Sequence, residues 1–454
     1  MKRFFEYSFL IFSALLNASL VQSASKLDVG ADYRLRGIYY SNPTYTSETP
    51  IGSGKTIEQR YYTHRAKIYI KGKFDPQIEV ASVIQAIGLS GSTQSFQNRY
   101  PKEDFSPFIE NAYLRGNELF DLPINLTIGR QPYVWGSGLL ISDDGLGFDG
   151  IRIDMEPFWG IGTHLFTSKA KERINEGDKD LYLGGLSYTW GIHNLKLGWI
   201  VENDQSGSLY STIDSTTPEA SDKISRQFYD FQLAGTLEKG AFYTAEYVIQ
   251  SGKAKTFTKE NTLSGSALTF EGGFDFIHPR YKRMHLAFVF MQGSGDSSAT
   301  TNEDEKFSPS FGHKFDGLER SGKGEFFAAN PYSFFNDDKV IIPIKVGDKV
   351  TSTRPYSSLF SGVRMFGFRG FVKPWDNFLA GLEYYLYSAM QKSELGVGAP
   401  TITENALGRE LVIKAEYDYR KKISFAVRWG KFFPSPTLND VGSSRLIFEA
   451  QGKF

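Results

Sequence analysis

From Leu27 onward the chain breaks into short segments in which apolar and polar residues alternate with period two, and the connections between them alternate in length as regularly as the side chains do. Eighteen such segments fall near residues 27–40, 58–71, 77–88, 107–116, 123–132, 147–156, 160–169, 180–190, 193–203, 226–237, 241–250, 265–276, 282–292, 358–371, 376–389, 408–419, 422–431 and 443–454. Even-numbered connections are short, as at Gly72 to Pro76, Glu156 to Trp159, Gly191 to Ile192, Lys239 to Gly240, Ile277 to Tyr281, Val372 to Trp375 and Arg420 to Lys421. Odd-numbered ones are long and polar: Ser41 to Thr56, Ser90 to Ser106, Asn203 to Arg226 and, longest, Gly293 to Tyr356. A soluble sandwich has little reason to collect tight turns at one end of its strands and long loops at the other. An up-and-down sheet closed on itself does this when one end is threaded through a membrane.

The ends of the pattern fit closure. From Leu27 to Tyr39 the odd positions are Leu, Val, Ala, Tyr, Leu, Gly and Tyr, while Asp28, Asp32, Arg34 and Arg36 occupy the other face. In the last segment Leu446, Phe448, Ala450 and Phe454 share one face, and Arg445, Glu449, Gln451 and Lys453 the other. Left unpaired, such a strand would offer its N–H and C=O row to any other chain, so pairing of the last strand with the first is expected. A strand ending on Phe also resembles the outer-membrane barrels whose assembly machinery reads a C-terminal Phe.

Met1-Lys2-Arg3, an apolar run from Phe9 to Leu16 and the small residues of Val21-Gln-Ser-Ala24 read as a secretory signal with cleavage after Ser23 or Ala24. The expected division is a signal peptide over 1–23 and a barrel over 24–454 carrying a long loop at 293–356. No later stretch approaches ~18 consecutive apolar residues, so a helical span is excluded and only a barrel can embed this chain in a bilayer. There is no Cys, which removes disulfides and thiolate metal sites, and Lys plus Arg (51) equals Asp plus Glu (51), which argues against bulk attraction to nucleic acid. Aromatic residues make up 15% of the chain, and they cluster at both ends of the strands: Tyr39-Tyr40 and Tyr61-Tyr62 beside the first long loop, and Trp159, Trp190 and Trp375 at short turns. The expected fold is therefore all-β: a transmembrane antiparallel β-barrel of about eighteen strands in the outer membrane, with short periplasmic turns and long extracellular loops.

Ile128-Gly-Arg130-Gln131-Pro-Tyr-Val-Trp135-Gly, followed by Phe148-Asp149-Gly150-Ile-Arg152-Ile-Asp154, is similar to the "GRQ … FDGVRLD" hairpin of the alginate-export family of outer-membrane porins. In the same order come Glu246-Tyr-Val-Ile-Gln250-Ser-Gly252, then Gly293-Ser-Gly295-Asp296 with Phe307-Ser-Pro309-Ser-Phe311, then Gly408-Arg-Glu410-Leu411 leading to Phe433. The resemblance implies an eighteen-stranded barrel that carries a polyanionic polysaccharide from periplasm to exterior, in contact with outer-membrane lipid, the barrel assembly machinery and periplasmic export partners.

If the polar face of each strand looks inward, the pore lining follows from alternation. Arg34, Arg36, Arg65, Lys67, Arg115, Arg130, Arg152, Lys196, Lys414, Arg428 and Arg445 form its basic part, with Asp154 and Glu246 among the acids that accompany them. A guanidinium stays charged at any relevant pH and grips carboxylate at two points, which suits uronate sugars or small anionic solutes. Arg130 and Arg152 are expected near the constriction, with Gly293–Tyr356 folded over the mouth. Other readings of the same pattern are a general small-solute porin and a non-conducting barrel, either a surface-binding protein or an embedded hydrolase, whose site would be assembled across strands and leave little local pattern. The six His show no metal spacing, no G-x-S-x-G occurs to support a lipase-type serine site, and Gly52-Ser-Gly54-Lys55-Thr56 lacks the strand and helix of a phosphate loop, so no enzyme and no catalytic residues are expected. No cofactor is expected, apart from Ca²⁺ on the acidic runs Asp143-Asp144, Glu303-Asp304-Glu305 and Asp337-Asp338.

Overall fold

Each alternating segment becomes one strand of a single closed antiparallel barrel of eighteen strands. The computed structural model describes residues 26–41, 58–75, 77–90, 104–143, 145–173, 176–210, 219–237, 240–278, 282–296, 302–312, 324, 341–346, 349–355, 360–392, 405–435 and 442–454; the expected signal segment lies outside them. The strands are β1 (Lys26–Ser41), β2 (Glu58–Asp75), β3 (Ile78–Ser90), β4 (Asp104–Gly116), β5 (Ile124–Gln131), β6 (Phe148–Phe158), β7 (Ile161–Arg173), β8 (Glu176–Trp190) and β9 (His193–Asp204). They continue as β10 (Glu219–Thr236), β11 (Ala241–Thr256), β12 (Glu260–His278), β13 (Lys282–Gly293), β14 (Phe360–Trp375), β15 (Phe378–Lys392), β16 (Ala406–Tyr419), β17 (Ile423–Pro434) and β18 (Ser443–Lys453).

Closure runs through β1 and β18, paired from Asp32 opposite Lys453 to Ser41 opposite Ser444. Phe454 extends the seam beyond the strand: its N–H donates to the Ala31 carbonyl at 2.8 Å, and its carbonyl accepts the Ala31 N–H at 3.0 Å. No strand of the barrel is left with an open edge, which is what a sheet needs when its surroundings offer no water to its backbone.

The two faces are inverted relative to a soluble β-protein. Phe368, Phe448 and Trp199 expose 64%, 54% and 52% of their surface, while Asp230, Glu246 and Glu383 expose 1%, 1% and 0%. Large apolar side chains such as Ile68, Leu114, Ile151, Leu165, Phe231, Tyr247, Leu382, Ile413 and Phe425 stand outward on strands all around the barrel. An outer surface of this kind is stable only against hydrocarbon. Exposed Trp159, Trp190 and Trp375 mark the end that carries the tight turns. Those turns use left-handed backbone: Trp159 and Gly160 (φ 54° and 81°) give the twist that a two-residue hairpin connection requires, and Arg420 and Lys421 (φ 52° and 58°) open the three-residue link Arg420 to Lys422. At the opposite end Tyr62 is exposed, whereas Tyr61 points inward and is buried.

The ladder runs past the alternating segments at the long-loop end, most strongly in β10, β11 and β12, which begin or end well beyond the expected 226, 250 and 265. Two odd-numbered connections are therefore tight: β7 and β8 are separated by residues 174–175, and β11 and β12 by Phe257–Lys259. Beyond the apolar belt, hydrogen bonding continues although the hydrophobic alternation that signals a strand has ceased. Within the connection from β13 to β14, Ile341–Val346 and Lys349–Pro355 form a separate two-stranded ladder.

If closure depends on the last strand, deleting Phe454 or changing outward-facing Phe448→Asp should reduce assembly. The carboxylate adds a lipid-facing penalty below the ~2–4 kcal/mol typical of a mid-bilayer Arg or Lys. The measurement is the heat-modifiable gel shift of the folded barrel, and unchanged folded yield in both variants would contradict the role of this seam.

Candidate functional site

The lumen has two unlike sides. Across β6 to β12 the inward face carries an apolar patch where sequence alternation suggested a wet wall: Phe148, Phe166, Leu181, Leu183, Ile200, Phe228, Val248 and Ala267 are buried there among polar wall residues. They are covered by two segments that fold into the barrel, one between β5 and β6 contributing Tyr133, Trp135, Leu139, Leu140 and Ile141, the other after β13 contributing Phe307 and Phe311. The two segments touch, with the Ser142 N–H donating to the Phe311 carbonyl at 2.8 Å. Trp135 lies against Gly185 of β8 and Gly198 of β9, where an added Cβ would come within 2.4 and 2.8 Å of its ring.

Polar residues of the wall hold this plug in register. Trp135 Nε1 donates to Asp230 at 2.6 Å, the Ser137 N–H donates to Glu246 at 3.1 Å, and the Ser137 hydroxyl donates to the same carboxylate. Gln250 accepts from the Ser308 N–H at 2.9 Å and donates to the Lys306 carbonyl at 3.0 Å, while Glu202 accepts from the Ser310 N–H at 3.0 Å. Glu246, expected on the solute path, is thus a buried anchor beneath the plug, because inward alternation cannot reveal that a loop returns to cover the strand.

Arg130 is a second departure. It is paired with Asp149, in register on the same face as the exposed residues Ile128 and Ile151. Its Nε and Nη2 donate to the carbonyls of Ile109 and Leu146 at 3.1 and 2.6 Å. It is on the outer face of the wall, clasping the base of the inserted segment; Arg152, opposite Ile151 and Ile153, does face the lumen. The motif that resembles the alginate-export hairpin therefore builds the plug more than the pore lining.

The other side of the lumen is charged. On β16, β17, β18, β1 and β2 the inward face carries Arg34, Arg36, Arg65, Lys67, Lys71, Lys414, Arg428 and Arg445 against Asp32, Glu410, Glu416 and Glu449. Arg36 is paired with Glu449, which Arg428 approaches at 3.9 Å, and Arg428 is 3.7 Å from Glu416. Arg65 is 3.7 Å from Asp32, and Lys67 is 2.7 Å from Glu110. Lys414 is 3.1 Å from Glu383, which Arg369 approaches at 3.9 Å while also meeting Glu271 at 3.0 Å. Arg115 faces the same lumen from β4, and Arg152 is 2.6 Å from Asp154 on β6. The Nε–H groups of Arg115 and Arg369 meet no acceptor among the described residues. Arg369 was not apparent from sequence because it sits in Phe366-Gly-Phe-Arg-Gly-Phe371, where aromatic residues on both faces hide the alternation.

Among the described residues no three His, Asp or Glu side chains gather as a metal would need. Asp304 is engaged by the Tyr210 hydroxyl at 2.9 Å and Glu303 by the Ser264 hydroxyl at 2.8 Å; Asp144, Asp337 and Asp338 lie outside the described residues.

Removing the central ring, as in Trp135→Ala, should cost ~3–5 kcal/mol of plug packing, and Gly185→Val should displace the same ring sterically. Both variants are expected to raise single-channel conductance or its fluctuations in planar bilayers; two parent-like traces would mean the plug does not limit the passage.

Solved structures with this fold are outer-membrane proteins. The chain superposes on Acinetobacter baumannii OccAB1 with a TM-score of 0.53 at 11% identity, covering 96% of this chain and 99% of that one. For Pseudomonas aeruginosa OccK5 (OpdH) the TM-score is 0.52 at 10% identity, with 94% and 98% covered; for a BenF-like porin from Pseudomonas fluorescens Pf-5 it is 0.51 at 13% identity, with 94% and 99% covered. These likenesses concern the fold. None of the curated protein sequences matches the chain. The alginate export family model matches residues 25–320, from the first strand through both plug segments, and this chain belongs to that family.

Proposed function

We propose that this outer-membrane barrel is a channel for anionic solutes, with an anionic polysaccharide of the alginate type as its cargo, moving from the periplasm to the exterior. The observation that carries the reading is the basic strip from β16 round to β2, enriched in guanidinium groups, while Glu202, Asp230 and Glu246 of the opposite wall are buried against the plug. A polyanion threading between the two meets a series of carboxylate-binding forks on one side. Arg36, Arg65 and Arg428 each have a wall acid within 4 Å, so these sites do not hold the chain tightly, and conduction needs entry sites that also let go. Family membership supports the cargo class. On this reading the tight turns face the periplasm, where export partners would deliver the cargo, and the assembly machinery recognises the strand that ends at Phe454.

Arg152→Gln with Arg428→Gln should reduce anion preference, because both charges face the narrowed lumen, where they are felt more strongly than in bulk water. Arg130→Gln should leave it unchanged, since that side chain is on the outer wall. Reversal potentials in a salt gradient separate the cases: a double variant that matches the parent would remove these two lumen arginines from selectivity, and the absence of any conductance would remove the channel itself.

Orientation is tested separately by inserted tags. Tags near Ser215 and Ser298 should be labelled on intact cells and one near Lys239 should not; labelling at Lys239 would invert the assignment.

A further inference from the structure

Three neighbouring strands bring Asp154, His164 and Ser187 together on the inward face, a few residues from the tight turns of the barrel. Asp154 and His164 stand directly opposite each other in the β6–β7 ladder, and Ser187 of β8 stands opposite Gly162, two residues before the histidine. His164 Nδ1 is 2.9 Å from Asp154 Oδ1, and His164 Nε2 is 3.1 Å from the Ser187 hydroxyl. The second carboxylate oxygen of Asp154 is fixed by Arg152 Nε at 2.6 Å. The order of contacts matters more than their number. An acid orients Nδ1, which leaves Nε2 to accept the serine proton, and the acid is itself held by a cation.

The surroundings suit a reaction site. Gly162 keeps the space beside the serine clear, since a Cβ there would come within 2.6 Å of the Ser187 hydroxyl. Trp135 closes the site on the plug side, its ring 5.6 Å from that of His164. Lys196 of β9 is the register partner of Ser187, and its Nζ lies 5.7 Å from the Trp135 ring centroid, so the strand opposite the serine carries a cation on the same inward face. Ser187 and His164 are only part-buried, so a solute in the lumen can reach them.

We propose that Ser187, His164 and Asp154 form a hydrolytic triad that cleaves short-chain acyl esters entering the lumen from the tight-turn end. Ser187 Oγ attacks the ester carbonyl carbon while its proton passes to His164 Nε2, and the ammonium of Lys196 faces the developing oxyanion. The bond from that carbon to the alcohol oxygen breaks, and the imidazolium returns its proton to the departing alkoxide. Water then attacks the acyl-serine through the same histidine, releasing the carboxylic acid and restoring the hydroxyl. The close approach of Gly162 to the Ser187 hydroxyl and of Trp135 to His164 favours a small acyl group. This activity does not depend on which solute the channel carries.

The experiment uses the full-length folded barrel in detergent, with p-nitrophenyl acetate as substrate and a fluorophosphonate as covalent probe. Peptide mapping of the labelled parent protein should place the adduct on Ser187. Hydrolysis should fall by about 10²-fold or more in Ser187→Ala and in His164→Asn, and Gly162→Ala should suppress labelling by filling the space beside the serine. Heat-modifiable mobility verifies that each variant is assembled. An adduct elsewhere, no adduct on the folded parent, or a Ser187→Ala variant with parental hydrolysis would each overturn the triad. The mapping needs no variant, so a substitution that fails to assemble leaves the question decidable.

Discussion

Every other feature of this molecule depends on the satisfaction of backbone hydrogen bonds without help from water. Hydrocarbon offers no partner to an N–H or C=O group, and each one left bare costs several kcal/mol. The seam from Asp32 to Ser41 against β18, extended by the two bonds between Ala31 and Phe454, turns eighteen strands into a sheet with no open edge. Once the sheet is closed, side-chain direction is fixed: alternate residues meet lipid, and the remainder share a confined interior. The exposure of Phe368 and the burial of Glu383 follow from one geometric fact.

That interior is wide enough to need filling, and the chain fills it asymmetrically. The segments around Trp135 and Phe307 return into the barrel and build an apolar core against β6 to β12, leaving the charged strands β16 to β2 to form the opposite wall. The plug's contacts with Asp230, Glu246, Gln250 and Glu202 combine dispersion with directional bonds, so it has a register as well as an affinity for the wall. On the basic side, opposed charges on adjacent strands cross-link the wall and temper its field without cancelling it. The balance between hydrating the wall and binding a passing anion is set by how many forks are already occupied.

The same alternation that lines a pore also places reactive side chains shoulder to shoulder. Asp154 and Ser187, two strands apart, are linked through His164 on the strand between them because antiparallel neighbours are about 5 Å apart. Several of the family-like motifs serve the plug: Arg130 with Asp149 clasps its base, Trp135 fits against Gly185 and Gly198, and Gln250 holds the segment ending in Phe311.

The barrel was legible from the residues alone, with all eighteen strands, their order, the face that meets lipid and the end that carries most of the tight turns, because a period-two pattern and turn chemistry are local properties. The same pattern also showed that Arg34, Arg36, Arg65, Lys67, Arg115, Arg152, Lys414, Arg428 and Arg445 point inward, since each alternates with an outward apolar neighbour. Which inward residues stay accessible emerged from the folded chain, because it depends on where loops return to the wall. Glu246 lies under a returning loop, Arg130 turns out to the rim, and Arg369 joins the basic wall from within an aromatic run. The meeting of Asp154, His164 and Ser187 was equally invisible, because register between strands fixes which side chains touch, and register is a property of the closed sheet rather than of any one strand.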